Sequence, residues 1–204
     1  VSFSNCALPY HLSGMIEDAD SLVLVDPEDF RTRYNIEART NSEVIRIKRA
    51  EKKVVVRDLV KGDEYEESYD KLILSPGARP ILPKSIQGID RPNVFSIRNV
   101  VDIRRLNGYI VSKDTEQVAV IGGGFIGIEV AENLKMAGRK VTLIEALDQV
   151  MAPFDYEMAQ ILHKEIVDNG IHLILNDGLK AVHDDFVELQ SGKRVEAGAV
   201  VMAI

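Results

Sequence analysis

A chain of 204 residues has material for one large or two small domains and an ample core. Hydrophobic content of 46% and charged content of 28% are those of an ordinary soluble protein, and no apolar run approaches the roughly 20 residues a membrane helix needs. The net charge of −7 argues against nucleic acid as the main partner, because phosphate binding wants a basic surface.

A single cysteine cannot close an internal disulfide, and no segment resembles a signal peptide, so a reducing cytoplasm is the expected setting. In chain order, Cys6 to Ile16 is apolar enough for a short helix, with Ser4 or Asn5 placed to cap it and Pro9 in its first turn. Residues 36–60 are β-rich: Glu43–Lys48 alternates, Lys53–Val56 follows, and Lys61-Gly62-Asp63-Glu64 suits a hairpin turn. Tyr69–Leu74 reads as a buried strand that breaks at Ser75-Pro76-Gly77. The proline-rich residues 79–93 read as a crossover between domains.

After Asn99 an amphipathic stretch through Val111 predicts a helix. From Gln117 the pattern becomes strand, glycine turn, helix and strand: Val118–Ile121, then Phe125–Ala137, then Lys140–Glu145. A helix over Tyr156–Asn169 and several short strands follow. The chain opens on Val1 and closes on Ala199-Val200-Val201-Met202-Ala203-Ile204, a strand pattern with no turn after it. Together these ends read as those of a piece of a longer protein.

Gly122-Gly123-Gly124-Phe125-Ile126-Gly127 is the clearest motif. Gly122 follows four apolar strand residues and permits a tight turn. Gly124 lacks a side chain, so a pyrophosphate can approach the backbone. Gly127 lets the helix pack on the strand, and the N–H groups of that helix face the phosphates. Glu145 ends the next strand, where a carboxylate accepts from ribose hydroxyls and repels a 2′-phosphate. That favours NADH, with NADPH the lesser choice.

Cys6 lies among the polar residues Ser2, Ser4 and Asn5. A lone cysteine is more often a small buried hydrophobe. Here the expected helix N-terminus would favour a thiolate, and a hydride-carrier site shares the chain. With no second cysteine, the thiol would cycle through a mixed disulfide or a sulfenic acid. His11, five residues on, would diverge from Cys6 in azimuth on a helix. His163, His172 and His183 read as surface or packing residues, and no metal site is expected.

At these residues the chain resembles the pyridine nucleotide–disulfide oxidoreductases, in the single-cysteine branch that holds coenzyme A disulfide reductases, NADH oxidases and NADH peroxidases. Ser2-Phe3-x-Asn5-Cys6-x-Leu8-Pro9-Tyr10 and Glu67-Ser68-Tyr69-Asp70-Lys71-Leu72-Ile73-Leu74-Ser75-Pro76-Gly77-Ala78 most resemble the coenzyme A disulfide (or persulfide) reductases.

The resemblance implies an α/β fold in which a Rossmann-like NAD(P)-binding domain (residues 113–204) is inserted in part of an FAD-binding domain (residues 1–112) with a small antiparallel β meander. It implies that Cys6 faces FAD, takes electrons from it and attacks a small disulfide or persulfide. By the same resemblance Ser2 and Asn5 contact coenzyme A, and Arg33 or Tyr34 meets its phosphates unless that basic run is simply a solvated face. Val44 and Ser75, Pro76 and Gly77 belong to the FAD site, and Glu129 touches the nicotinamide. Phe125 stands where a gating tyrosine is frequent. The family's first FAD glycine motif would precede Val1, and a second FAD segment and a dimerisation domain would follow Ile204, giving a homodimeric parent. An NADH oxidase or peroxidase working through a cysteine sulfenic acid is the second reading. A nucleotide-binding module without chemistry is the third, for this stretch alone.

Overall fold

The computed structural model describes residues 2–204. In chain order they form β1 (Ser2–Phe3), β2 (Val23–Val25), α1 (Pro27–Tyr34), β3 (Ser42–Lys48), β4 (Lys53–Asp58), β5 (Glu64–Ser68) and β6 (Val94–Ser96). There follow α2 (Val100–Ser112), β7 (Gln117–Ile121), α3 (Phe125–Met136), β8 (Lys140–Ile144), α4 (Tyr156–Asp168) and β9 (His172–Ile174). The last four strands are β10 (Leu179–Val182), β11 (Phe186–Leu189), β12 (Arg194–Glu196) and β13 (Ala199–Met202). Two compact units result, one of Ser2 with Val23–Ala78, the other of Phe3–Leu22 with Arg79–Ile204. No helix among the described residues is long and apolar enough to cross a membrane.

The smaller unit holds the antiparallel meander β3-β4-β5, with Val44 opposite Val56 and Val56 opposite Tyr65. Val54, Val55 and Val56 of β4 are buried. Charged residues line the cross-strand positions, with Arg57 on Glu64 at 2.8 Å, Lys53 on Glu66 at 2.9 Å and Lys48 also on Glu66. Helix α1 was not anticipated. Asp26 caps it by accepting from Asp29 N at 2.8 Å, Asp29 answers the Asp26 N–H, and Pro27 occupies the first turn.

In the larger unit a five-stranded parallel sheet runs in the order β6-β13-β7-β8-β9, with α3 crossing from β7 to β8. Both faces are buried, which explains why its strands read as unbroken apolar runs. Val118 and Val120 of β7, with Ala199 and Val201 of β13, join a core that includes α2 and α3. Ala119, Ile121, Val200 and Met202 point into a second core with residues of the antiparallel sheet β10-β11-β12. Helix α2 starts as expected, the Asn99 side chain accepting from Asp102 N at 3.0 Å, and buries Ile103, Leu106 and Ile110.

Two local expectations fail. Cys6–Ile16 contains only the 3₁₀ turn Pro9–His11. Ala7, Leu8, Tyr10, His11 and Leu12 donate to the carbonyls three residues back, at 2.9–3.3 Å, and Gly14 at φ 79° ends the coil. Tyr69–Leu74 is not a strand, and Ile73 and Leu74 are 88% and 67% exposed. No strand among the described residues pairs with this run to bury it.

In the meander, Lys48 and Lys53 hold the Glu66 carboxyl down at about 2. A lowered carboxylate stabilises fully above its ordinary value and loses that contribution as pH falls toward the folded one. Hydrogen-exchange protection of β4 and β5 should therefore decline below pH 4.5, and Glu66→Gln should flatten that decline while leaving β7 and β8 unchanged.

Candidate functional site

The turn after β7 is shaped by what surrounds each glycine. Gly122 has φ 107°, and a Cβ there would lie 2.6 Å from Ala203 O. A Cβ at Gly127 would lie 1.9 Å from Gly122 O, so the first turn of α3 rests directly on the carbonyl of the glycine turn. At Gly123 a Cβ would meet Val150 Cγ1 at 2.8 Å. Gly124 is different, having nothing within 4 Å of its added Cβ. It is also the N-cap of α3 and supplies no side-chain cap. The first N–H groups of α3 thus remain available at an open surface, the arrangement that suits a phosphate.

Glu145 is half-buried beside this turn. Its Oε2 accepts from Gly123 N at 2.7 Å and its Oε1 from Leu147 N at 2.9 Å. The carboxylate is thereby fixed at the carboxyl end of the parallel sheet, where such folds take ligands. A cleft of about 190 Å³ opens there, lined by Gly122, Glu145, Asp177, Gly178, Gln190 and Ile204 among others. Phe125 is 63% exposed and meets Phe154 edge to face at 6.3 Å. Ile126 is exposed and Glu129 half-buried on the same helix.

Cys6 and Asn5 are exposed in the same unit, on the 3₁₀-type coil. Burial fixes that coil, since Leu8 and Leu12 are 2% and 6% exposed and share a core with Val130 and Leu134 of α3. The Pro9–His11 turn lies against α3. His11 Nδ1 is 2.8 Å from Ile16 O and its Nε2 3.3 Å from Asn107 Nδ2, so its ring holds the coil together. The azimuth argument against His11 lapses with the helix, yet both ring nitrogens are engaged away from sulfur. The expected polarisation of Cys6 by an α-helix N-terminus has no counterpart in this coil.

The other expected site residues lie in the smaller unit. Ser2 is half-buried in β1, and Val44 is 53% exposed on β3. Ser75, Pro76 and Gly77 are exposed in extended chain, with open space at Gly77. Among the described residues of this unit no glycine turn leads into a helix to cradle a pyrophosphate. Arg33 is paired with Asp29 at 3.1 Å, and Tyr34 packs on Phe30 with ring centroids 5.9 Å apart. The basic run is thus largely satisfied within α1.

Sequence reasoning missed Val150 and Met151, which buttress Gly123 from the loop after β8, and Phe154. Met151 donates to Gly123 O at 2.8 Å from a left-handed conformation, φ 52°. The Phe125–Phe154 pairing joins residues far apart in the chain, so neither carries a local signal.

A model of the family described as pyridine nucleotide-disulphide oxidoreductase matches residues 1–204. An NADH oxidase of Methanocaldococcus jannaschii is 36% identical over 207 residues, covering 100% of this chain and 46% of the relative. A coenzyme A disulfide reductase of Staphylococcus aureus is 35% identical over 193 residues, covering 95% of this chain and 43% of the relative. The crystal structure of reduced Bacillus anthracis CoADR-RHD superposes with a TM-score of 0.96 at 40% identity, over 100% of this chain and 37% of that one. The chain therefore spans less than half the length of these relatives.

The glycine environments make a stability contrast. Gly127→Ala drives a methyl into backbone and should cost about 1–3 kcal/mol or more in urea unfolding. Gly124→Ala enters open space and should stay within about 1 kcal/mol of wild type.

Proposed function

The chain belongs to the pyridine nucleotide-disulphide oxidoreductase family, and from that premise we propose that it carries the nicotinamide site and redox thiol of an FAD-dependent, NADH-driven reductase. The proposed substrate is a small disulfide or persulfide of the coenzyme A type. One observation supports this most: an exposed lone thiol on a firmly packed coil shares a compact unit with an open, uncapped helix N-terminus beside a carboxylate. On this reading residues 113–204 are the NAD(H) domain, residues 1–112 are part of the FAD domain, and the whole protein is a cytoplasmic homodimer.

The Gly122–Gly127 turn would hold the pyrophosphate through the N–H groups of Gly124, Phe125 and Ile126, with Glu145 on the ribose hydroxyls. That carboxylate would have to release Gly123 N or Leu147 N in part to do so, and its charge disfavours a 2′-phosphate. Glu129 and Phe125 would face the nicotinamide end. Val44 and Ser75–Gly77 would hold part of the flavin nucleotide. When bound, FAD would supply the two-electron relay between nicotinamide and sulfur.

Cys6, as thiolate, attacks one sulfur of the substrate disulfide. The S–S bond breaks, one thiolate leaves and is protonated, and the other half stays on Cys6 as a mixed disulfide. Two electrons originating in NADH then break that bond, restore Cys6 and release the second thiol. The balance is NADH + H⁺ + RSSR → NAD⁺ + 2 RSH. Asn5, next to Cys6 in the sequence, would contact the coenzyme A portion.

A second reading is favoured by the Methanocaldococcus relative named NADH oxidase. There peroxide oxidises Cys6 to a sulfenic acid with release of water or alcohol, and NADH reduces it back. Rates with coenzyme A disulfide, peroxide and oxygen separate the two.

Calorimetric titration of this chain should detect NAD⁺ binding that Gly124→Ala weakens by about tenfold or more. Binding without any FAD retention or turnover would support a nucleotide-binding module instead. In the full-length, FAD-loaded protein, Cys6→Ser should abolish coenzyme A disulfide turnover while NADH still bleaches the visible flavin absorbance. Retained turnover in that variant overturns the assignment.

A further inference from the structure

The loop between β8 and α4 carries an interaction that neither the family match nor the glycine motif assigns. Val150 N donates to His163 Nε2 on α4 at 3.0 Å, and the Val150 side chain is fully buried. The next residue, Met151, donates to Gly123 O, and Leu147 in the same loop donates to Glu145 Oε1. A Cβ at Gly123 would collide with Val150 Cγ1. The loop thus grips the glycine turn at Gly123 and the acidic side chain at Glu145, and His163 anchors the loop. Met151, at φ 52°, needs such anchoring to remain left-handed.

We propose that His163 is a positioning residue for the dinucleotide, its neutral ring holding loop 147–151 against Gly123 and so setting the geometry of the turn and of Glu145. This rests on reading the Gly122–Gly127 turn as a nicotinamide-dinucleotide site. The physical basis is a lone-pair requirement. A backbone N–H can donate to Nε2 only when that nitrogen is unprotonated, which places the ring proton on Nδ1. Nδ1 lies 3.3 Å from Gln160 Oε1, which can accept it, so the two contacts select the same tautomer. A protonated ring would set two donors against each other and leave Val150 N–H without its acceptor.

Of the groups facing the imidazole, Gln160 on α4 is neutral and Asp148 in the loop is charged. Burial lowers the His163 pKa from its ordinary 6.5, and Asp148, the smaller effect, raises it. With the folded value lowered, the contribution is complete above 6.5 and is lost as pH falls through the folded value.

The test is calorimetric titration of this chain with NAD⁺ at about pH 8 and about pH 5.5, for wild type, His163→Gln and His163→Leu. Glutamine offers a carbonyl acceptor near the Nε2 position and does not titrate. Wild type should bind several-fold more weakly at the lower pH, by less than about tenfold because the folded value lies below 6.5, the Gln variant should match wild type at the higher pH and hold its affinity at the lower, and the Leu variant should be weak at both. An identical pH dependence in wild type and His163→Gln, or full affinity in a folded His163→Leu, overturns the role of His163. Should the Leu variant not fold, the wild-type and Gln pair decides alone. Absence of NAD⁺ binding by wild type at about pH 8 instead overturns the dinucleotide reading, and the proposal with it.

Discussion

The contact on which the larger unit turns is the seating of α3 on the Gly122 carbonyl, so close that the Cα of Gly127 can carry no side chain. The neighbouring constraints complete a box. Ala203 at the end of β13 closes one side of Gly122, and Val150 closes Gly123. Three of the four glycines are therefore required by packing. Gly124 alone stands in open space, and it is the residue from which the uncapped helix begins. The fold thus needs glycine at three positions for its own assembly and leaves the fourth bare toward solvent.

Legibility followed the range of the forces involved. The β7-α3-β8 unit could be read because each part has a local signature: a strand buried on both faces gives an unbroken apolar run, and the glycine spacing marks the turn. Helix α2 was equally plain from Asn99 and its buried stripe. Cys6–Ile16 misled because its apolar residues suit an α-helix, while the hydrogen bonds settle at three-residue spacing around Pro9. Helix α1 was overlooked because it buries no residue, although Asp26-Pro27-Glu28-Asp29 spells out its capping box. Leu72–Leu74 has the composition of an interior strand, but burial is conferred by partners that local composition does not name. His163 and Val150 meet across thirteen positions, beyond any periodic signal.

The same distinction governs charge. Arg31 and Arg33 lie one turn from Glu28 and Asp29 on the same helix and pair with them. In the meander, acidic β5 faces the basic residues of β3 and β4. These exposed pairs contribute little stability each. Their consequence is specificity of register, since a slip of one residue would set each charge against the wrong neighbour. Glu145 differs, its two oxygens committed to backbone donors that also shape the glycine turn.

Helix α3 is where thiol chemistry and dinucleotide binding would meet mechanically. Its N-terminus presents free N–H groups at Gly124, and its flank shares a core with Leu8 and Leu12, which bracket the coil two and six residues beyond Cys6. Sulfur is thus exposed on a segment whose backbone is held by burial and by His11, an arrangement suited to a nucleophile that must be reached by substrate yet return to one position. A flexible surface thiol would meet disulfides as readily but would offer no fixed acceptor for electrons. A buried one would be fixed but unreachable. Anchoring the coil to the helix that also carries the proposed phosphate-binding turn satisfies both demands with a single rigid element, and it ties the geometry of one proposed site to that of the other.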